Sequence, residues 1–182
     1  GIKNKLKDFD SSVLLCLQFS QFYGYDAHAT YKSQYDLLVA TLTHTPKERA
    51  VIVIEHPEYP LLNEKSYNAL KDVYSNLFWK IEWRYVLGSA QFALFHVDAV
   101  VTVSSSVGLQ AAFWGKPLIV AGSSHLNAFA DSNDLSDLSQ LPLPANRTGA
   151  FAKLFRSYYI PAKLLDSPGL FKSRLQALID LP

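Results

Sequence analysis

Residues 97–122 constrain this chain more than any other stretch. Residues 100–103 form a short apolar, β-branched run, which suits a buried strand. Ser104, Ser105 and Ser106 follow at once. A helical pattern opens at Val107 and closes at Gly115, with Pro117 as a stop signal just beyond. A second apolar run, 118–120, ends in Ala121-Gly122. The unit reads strand, serine turn, short helix, strand. A helix N-terminus behind small hydroxyl residues offers free N–H groups, hydroxyl donors and a positive dipole end. Those are the requirements for holding a phosphate, so Ser104, Ser105 and Ser106 are candidate phosphate-binding residues. N-capping explains one of these serines without any ligand. Gly108 permits close backbone approach. There is no Walker lysine pattern and no G-x-G-x-x-G.

The rest of the chain repeats the alternation. Residues 13–19 and 50–54 read as strands, 78–83 as a further short one. Helical spacing covers 31–43, with Tyr35, Leu38, Val39 and Leu42 on one face and Pro46 as its stop. Asn63 is the expected N-cap of a helix to about residue 75, and 87–95 reads as a compact helix. Residues 123–146 dissolve into Ser, Asn, Asp and Pro and read as a long loop. Two closing helices are expected at about 149–159 and 168–181. This alternation predicts one α/β domain over 1–182, a mostly parallel sheet with helices on both faces.

Composition narrows the class. Hydrophobic residues make up 49% and charged residues 18%, which excludes a disordered chain. A formal net charge of +1 gives no general electrostatic case for nucleic acid as a partner. The single cysteine, Cys16, sits in an apolar run and excludes a disulfide framework. No apolar run approaches the ~20 residues that span a bilayer and no signal peptide is visible, so a cytoplasmic location is the expectation. The chain starts at Gly1 and has no methionine, which points to a native start outside it.

In a parallel sheet, ligands bind beyond the carboxyl ends of the strands. Three loops are expected there: 20–30, 55–60 and the serine turn. His56-Pro57 follows the second strand directly, and its imidazole suits a hydrogen bond to a phosphate or a sugar hydroxyl. Gln18 is a polar residue at the end of a buried strand, and facing the crevice would account for it. Asp26 suits three roles: turn residue, helix cap or cleft acid. His125 lies after the fifth strand on the same side. No His or carboxylate pair has metal-ligand spacing such as H-E-x-x-H, and no metal is expected. Ser105 lacks the G-x-S-x-G frame of a nucleophile elbow.

A family resemblance rests on these residues. Leu17-Gln18 with Gly24-Tyr25-Asp26, then His56-Pro57, then residues 103–112, then Gly115-Lys116-Pro117 resemble the capsule polysaccharide biosynthesis family, which includes bacterial β-Kdo transferases. The resemblance covers roughly residues 11–135. It implies the C-terminal, donor-binding domain of a GT-B glycosyltransferase with Rossmann-like domains, the N-terminal acceptor domain lying outside this chain. It implies that His56 and Pro57 contact the donor nucleotide and that Ser104, Ser105 and Ser106 hold the phosphate of CMP. Retaining relatives of that architecture hold the ribose with a glutamate after the phosphate loop. Between Ser106 and Asp131 this chain has no acidic residue, which favours a CMP-sugar, CMP-Kdo foremost, over UDP or GDP donors. The expected reaction is inverting, with no cofactor beyond the donor substrate and with the general base on the other half, so no catalytic residue is assigned here.

The implied partners are a nucleotide-sugar donor, a glycan or glycolipid acceptor, and peripheral association with the inner membrane or capsule assembly proteins at its cytoplasmic face. Two alternatives stand beside this reading. One is the same architecture with a UDP-sugar or CDP-alcohol donor. The other is a non-catalytic α/β interaction domain, in which the serines only cap and the tyrosines at 23, 25, 31 and 35 mark an interface.

Overall fold

The computed structural model describes residues 6–18, 28–56, 58–86, 88–157 and 166–179. The chain divides into two compact units, Gly1–Ala145 and Asn146–Pro182.

The first unit is a five-stranded, wholly parallel sheet in the order β3-β2-β1-β4-β5. Its strands are β1 (Ser11–Cys16), β2 (Arg49–Ile54), β3 (Leu77–Phe78), β4 (Ala99–Thr102) and β5 (Leu118–Val120). The helices between them are α1 (Gln34–His44), α2 (Glu64–Val73), α3 (Ser89–Leu94) and α4 (Ser106–Phe113). This is an α/β, Rossmann-like arrangement. The chain runs from the centre to one edge through β2 and β3, then returns to the other side of β1 with β4. The reversal creates a switch point between β1 and β4, where such sheets bind ligands.

The strands are buried on both faces, which is why they read as continuous apolar runs. On one face Val13, Leu15, Val51, Val53 and Val101 pack with Leu37, Leu38 and Leu42 of α1. Alternation sends Leu14, Cys16, Ile52 and Ile54 to the other face. There α3 lies against β1 and β2, and α4 against β4 and β5.

Local chemistry sets the helix ends. Ser33 caps α1 by accepting from the Asp36 N–H at 3.0 Å. Asn63 caps α2 in a reciprocal box with Ser66, as its sequence position predicts. After α4, Gly115 takes φ +71°, the left-handed conformation that closes a helix.

Two expectations are corrected. The strand expected over 78–83 shrinks to Leu77–Phe78 and gives way to a 3-10 turn, Ile81–Tyr85. The cause is tertiary: Trp79 is buried, and its indole N–H donates to Glu55 at 2.7 Å, which draws the chain off the sheet edge. The loop expected over 123–146 holds two 3-10 helices, His125–Phe129 and Leu135–Leu138. Leu126 with Phe129, and Leu135 with Leu138, recur three residues apart, so each turn buries one apolar edge.

The second unit contains α5 (Thr148–Ser157) and α6 (Pro168–Ile179). Asn146 accepts from the Thr148 N–H at 3.0 Å at the start of α5, and Pro168 occupies the first position of α6. The Arg174 guanidinium donates to the Arg156 carbonyl and ties the two helices together.

No helix among the described residues is long and apolar enough to cross a membrane.

Candidate functional site

A cavity of about 500 Å³ opens at the carboxyl ends of β1 and β2, between them and α3 and α4. Its floor is Cys16, Leu17 and Ile54. One wall carries Ser105 and Val107 at the start of α4; the opposite wall carries Glu55, His56 and Arg84. That volume suits a small molecule of nucleotide size.

Two cross-connections tie the segments that follow the strands near the cavity. Gln18, just past β1, bonds Ser104, just past β4: its Nε2 donates to Ser104 Oγ at 2.9 Å, and its Oε1 accepts from the Ser104 N–H at 3.0 Å. Farther over, Ala29 pairs with Gly122 in an antiparallel bridge, and the Ser123 N–H donates to the His28 carbonyl at 2.7 Å. A Cβ at Gly122 would lie 2.1 Å from that carbonyl oxygen, so only glycine fits.

The three serines have different situations. Ser104 is held by Gln18. Ser105 is the N-cap of α4, its Oγ accepting from the Val107 N–H at 3.3 Å while its own N–H donates to Thr102 Oγ1. Ser106 is exposed in the first helical position. Of these, Ser105 lines the cavity. A capped serine at this place still presents a hydroxyl proton and the positive end of α4, which has no acidic residue in its first turn.

His56 is half-buried at the end of β2. Its Nδ1 accepts from the Glu58 N–H at 3.3 Å, and its ring packs against Tyr59 at 5.8 Å. An accepting Nδ1 places the proton of a neutral imidazole on Nε2, where it is a donor.

Other expected site residues lie elsewhere. Gly108 faces the interior and not the cavity. A Cβ there would come within 2.8 Å of Leu126 and 2.9 Å of Thr102, so this glycine sets how closely α4 seats on the sheet. His125 is exposed at the start of its 3-10 helix and does not line the cavity. Asp26 and Pro57 lie outside the described residues, as do Tyr23 and Tyr25; Tyr31 packs on the core and Tyr35 is exposed. Burial pushes the Cys16 thiol up to about 12, so it stays protonated and is no nucleophile at neutral pH.

Sequence reasoning missed the centre of the second wall. Glu55 is buried, and its carboxylate accepts four hydrogen bonds: from the Leu61 and Leu62 N–H groups at 2.6 and 2.7 Å, from Trp79 Nε1 at 2.7 Å and from Arg84 Nη2 at 2.8 Å. It anchors the segment after His56 to the β3 edge. The signal available beforehand was a carboxylate directly after a buried strand, which needs partners to be stable there.

With this geometry in place, comparison with known proteins is informative in one case. The family model described as "Capsule polysaccharide biosynthesis protein" matches residues 2–150, more than half of the chain. No curated protein sequence matches. Among solved structures, a co-structure of S. aureus MnaA with UDP aligns with a TM-score of 0.41 at 11% identity, over 96% of this chain and 41% of that one. The chain therefore spans less than half the length of that neighbour.

Proposed function

The chain belongs to the capsule polysaccharide biosynthesis protein family, and we propose that it is the donor-binding domain of an inverting glycosyltransferase that uses a CMP-sugar, CMP-Kdo foremost. One observation carries the proposal: a nucleotide-sized cavity at the carboxyl ends of the strands gathers Ser105, the start of α4 and His56. Each supplies a donor suited to an oxyanion, and none depends on a metal.

In this reading the phosphate lies against the first turn of α4, with Ser105 Oγ–H and His56 Nε2–H as further donors. The acceptor hydroxyl oxygen bonds to the anomeric carbon while the bond from that carbon to the phosphate oxygen breaks. The electron pair passes to the phosphate, and CMP leaves. Charge grows on the leaving phosphate as the bond breaks, so donors fixed beforehand around it stabilise the transition state. The proton of the acceptor goes to a base on the acceptor half. The glycan or glycolipid acceptor and any contact with the inner membrane or capsule assembly proteins belong to that half of the proposal.

Calorimetric titration with CMP and UDP tests the reading. We expect CMP to bind more tightly than UDP; equal affinity, or none for either, overturns the CMP assignment. Ser105→Gly isolates the hydroxyl, because glycine costs an N-cap only a few tenths of a kcal/mol. Loss of one hydrogen bond to a charged phosphate, about 1.5–3 kcal/mol, should weaken CMP binding by roughly tenfold or more.

A further inference from the structure

The helices α3 and α4 pack against each other on one face of the sheet. Their sequences, SAQFAL and SVGLQAAF, contain no charged residue. A surface helix ordinarily carries charge on the side turned away from the core. Here that side carries aromatic rings. Phe92 and Phe95 are 57% and 67% exposed, Phe113 and Trp114 59% and 41%. Phe92 and Phe95 are three residues apart, so they are neighbours on one helix surface. The Phe95 ring lies 4.5 Å from that of Trp114, which joins the end of α3 to the end of α4. The amine of Lys116, two residues past Trp114, donates to the Val97 carbonyl. A hollow of about 380 Å³ opens beside Phe95, lined also by Leu6, Lys7 and His96.

Area and charge select the occupant of this face. An aromatic side chain has about 150–250 Å² to bury, so the four rings leave roughly 450 Å² open. That is the size of the largest apolar patch on an ordinary monomer, and such patches are often interaction surfaces. A stable interface takes about 800 Å² from each partner. The rings supply roughly half of it as a core. Gln110, one turn before Trp114, and Lys7, beside Phe95, are polar residues for a rim. An uncharged aromatic core is the composition of interfaces between identical subunits. A second copy presents the same rings, and a two-fold axis sets each patch against itself. The net charge of +1 puts little repulsion between two copies. A lipid surface is held partly through Lys and Arg on the polar side of a helix, and α3 and α4 have none.

We propose that the α3–α4 face is the contact of a two-fold homodimer, with Phe95 and Trp114 at its centre. The proposal is independent of the donor-site reading. Both helices turn their starts to the cavity and their ends to the patch, so pairing through the patch makes no use of the cavity.

Sedimentation equilibrium of the chain from about 1 to about 100 µM reads the proposal. We expect a reversible dimer. Phe95→Lys should raise its dissociation constant roughly tenfold or more, because it sets like charges against each other at the two-fold axis. A cation suits the end of a helix, so α3 should keep its fold. If Phe95→Lys fails to fold, Phe92→Ser is read in the same way. A monomer at every concentration overturns the proposal. So does a dimer that neither variant weakens, because it pairs through another surface. Flotation with vesicles of phosphatidylethanolamine and phosphatidylglycerol covers the lipid alternative. A monomer that floats with them, and does so more strongly as Phe95→Lys, assigns the face to a membrane and overturns the second copy.

Discussion

The two walls of the cavity solve the same problem by different means. The α4 wall is a local device: three consecutive serines, a helix end and a capping hydroxyl. The β2 wall is assembled from afar, Glu55 bonding Trp79 and Arg84, 24 and 29 residues away in sequence. The first wall keeps the Ser105 hydroxyl for its own helix cap and has one tie across the sheet, from Ser104 to Gln18. The second is saturated at its carboxylate and unsatisfied at its guanidinium. A motif-built wall can be recognised without a structure, and a packing-built wall cannot. The second should also be the more fragile, because its charges are buried and depend on each other.

The largest test of that difference is Glu55→Ala. It strips the acceptor from Arg84, Trp79 and two backbone N–H groups at once. Removing one partner of a buried ion pair costs about 3–5 kcal/mol. Urea unfolding should show a loss of that size, with Glu55→Gln losing less because the amide oxygen still accepts. A loss below about 1 kcal/mol, the scale of exposed pairs, would mean that the pair is solvated and that the two walls are alike.

The same contrast governs what could be read from residues alone. Four of the five strands and the α2 cap were legible because their signals are local: apolar, β-branched runs, and Asn63 just ahead of a helical pattern. The serine turn and His56 were legible as candidates because strand ends in a parallel sheet converge by topology. The 3-10 helices at 125–129 and 135–138 went unread because each buries only two apolar residues, too few to register as a helical period. The bond of Trp79 to Glu55, and the break it makes in the expected strand, depend on a contact across the sheet edge. Arg84 had no signal at all: a cation between aromatic and apolar residues is ordinarily solvated at its charged end, and burial is a property of the folded molecule. Gly108 was legible as a place of close backbone approach, and the approach is that of α4 to the sheet, where a Cβ would meet Thr102 and Leu126.

Gly108→Ala tests how tightly the α4 wall is seated. Alanine favours the helix by about 1 kcal/mol over glycine. Its Cβ would nevertheless fall 2.8 Å from Leu126 Cδ1, 2.9 Å from Thr102 Cγ2 and 3.3 Å from Leu118 Cδ1. The leucines can turn aside, but Thr102 is β-branched and stiff. Overpacking costs about 1–3 kcal/mol, so the net change should be a destabilisation of up to about 2 kcal/mol in the same unfolding assay. A stabilised variant would show that α4 slides freely on the sheet, and its N-terminus would then be a poor place to hold a phosphate.

The smallest effect belongs to Gln18→Ala, which separates the strand ends on either side of the switch point. The variant loses the donor to Ser104 Oγ and the acceptor for the Ser104 N–H. Gln18 is half-buried, so water replaces part of what is lost, and the net cost should be about 1 kcal/mol. The more telling readout is amide exchange at Ser104, which that cost should speed roughly fivefold if opening at the turn is local. Exchange unchanged at Ser104 would mean that the turn is held by the Ser105 cap and the Thr102 hydroxyl alone. Gln18 would then be a bystander, and the α4 wall would be still more local than its hydrogen bonds suggest. Faster exchange at Ser104 with no change at Val107 would separate the two supports. It would assign the turn to Gln18, across the sheet, and the helix start to its own serine.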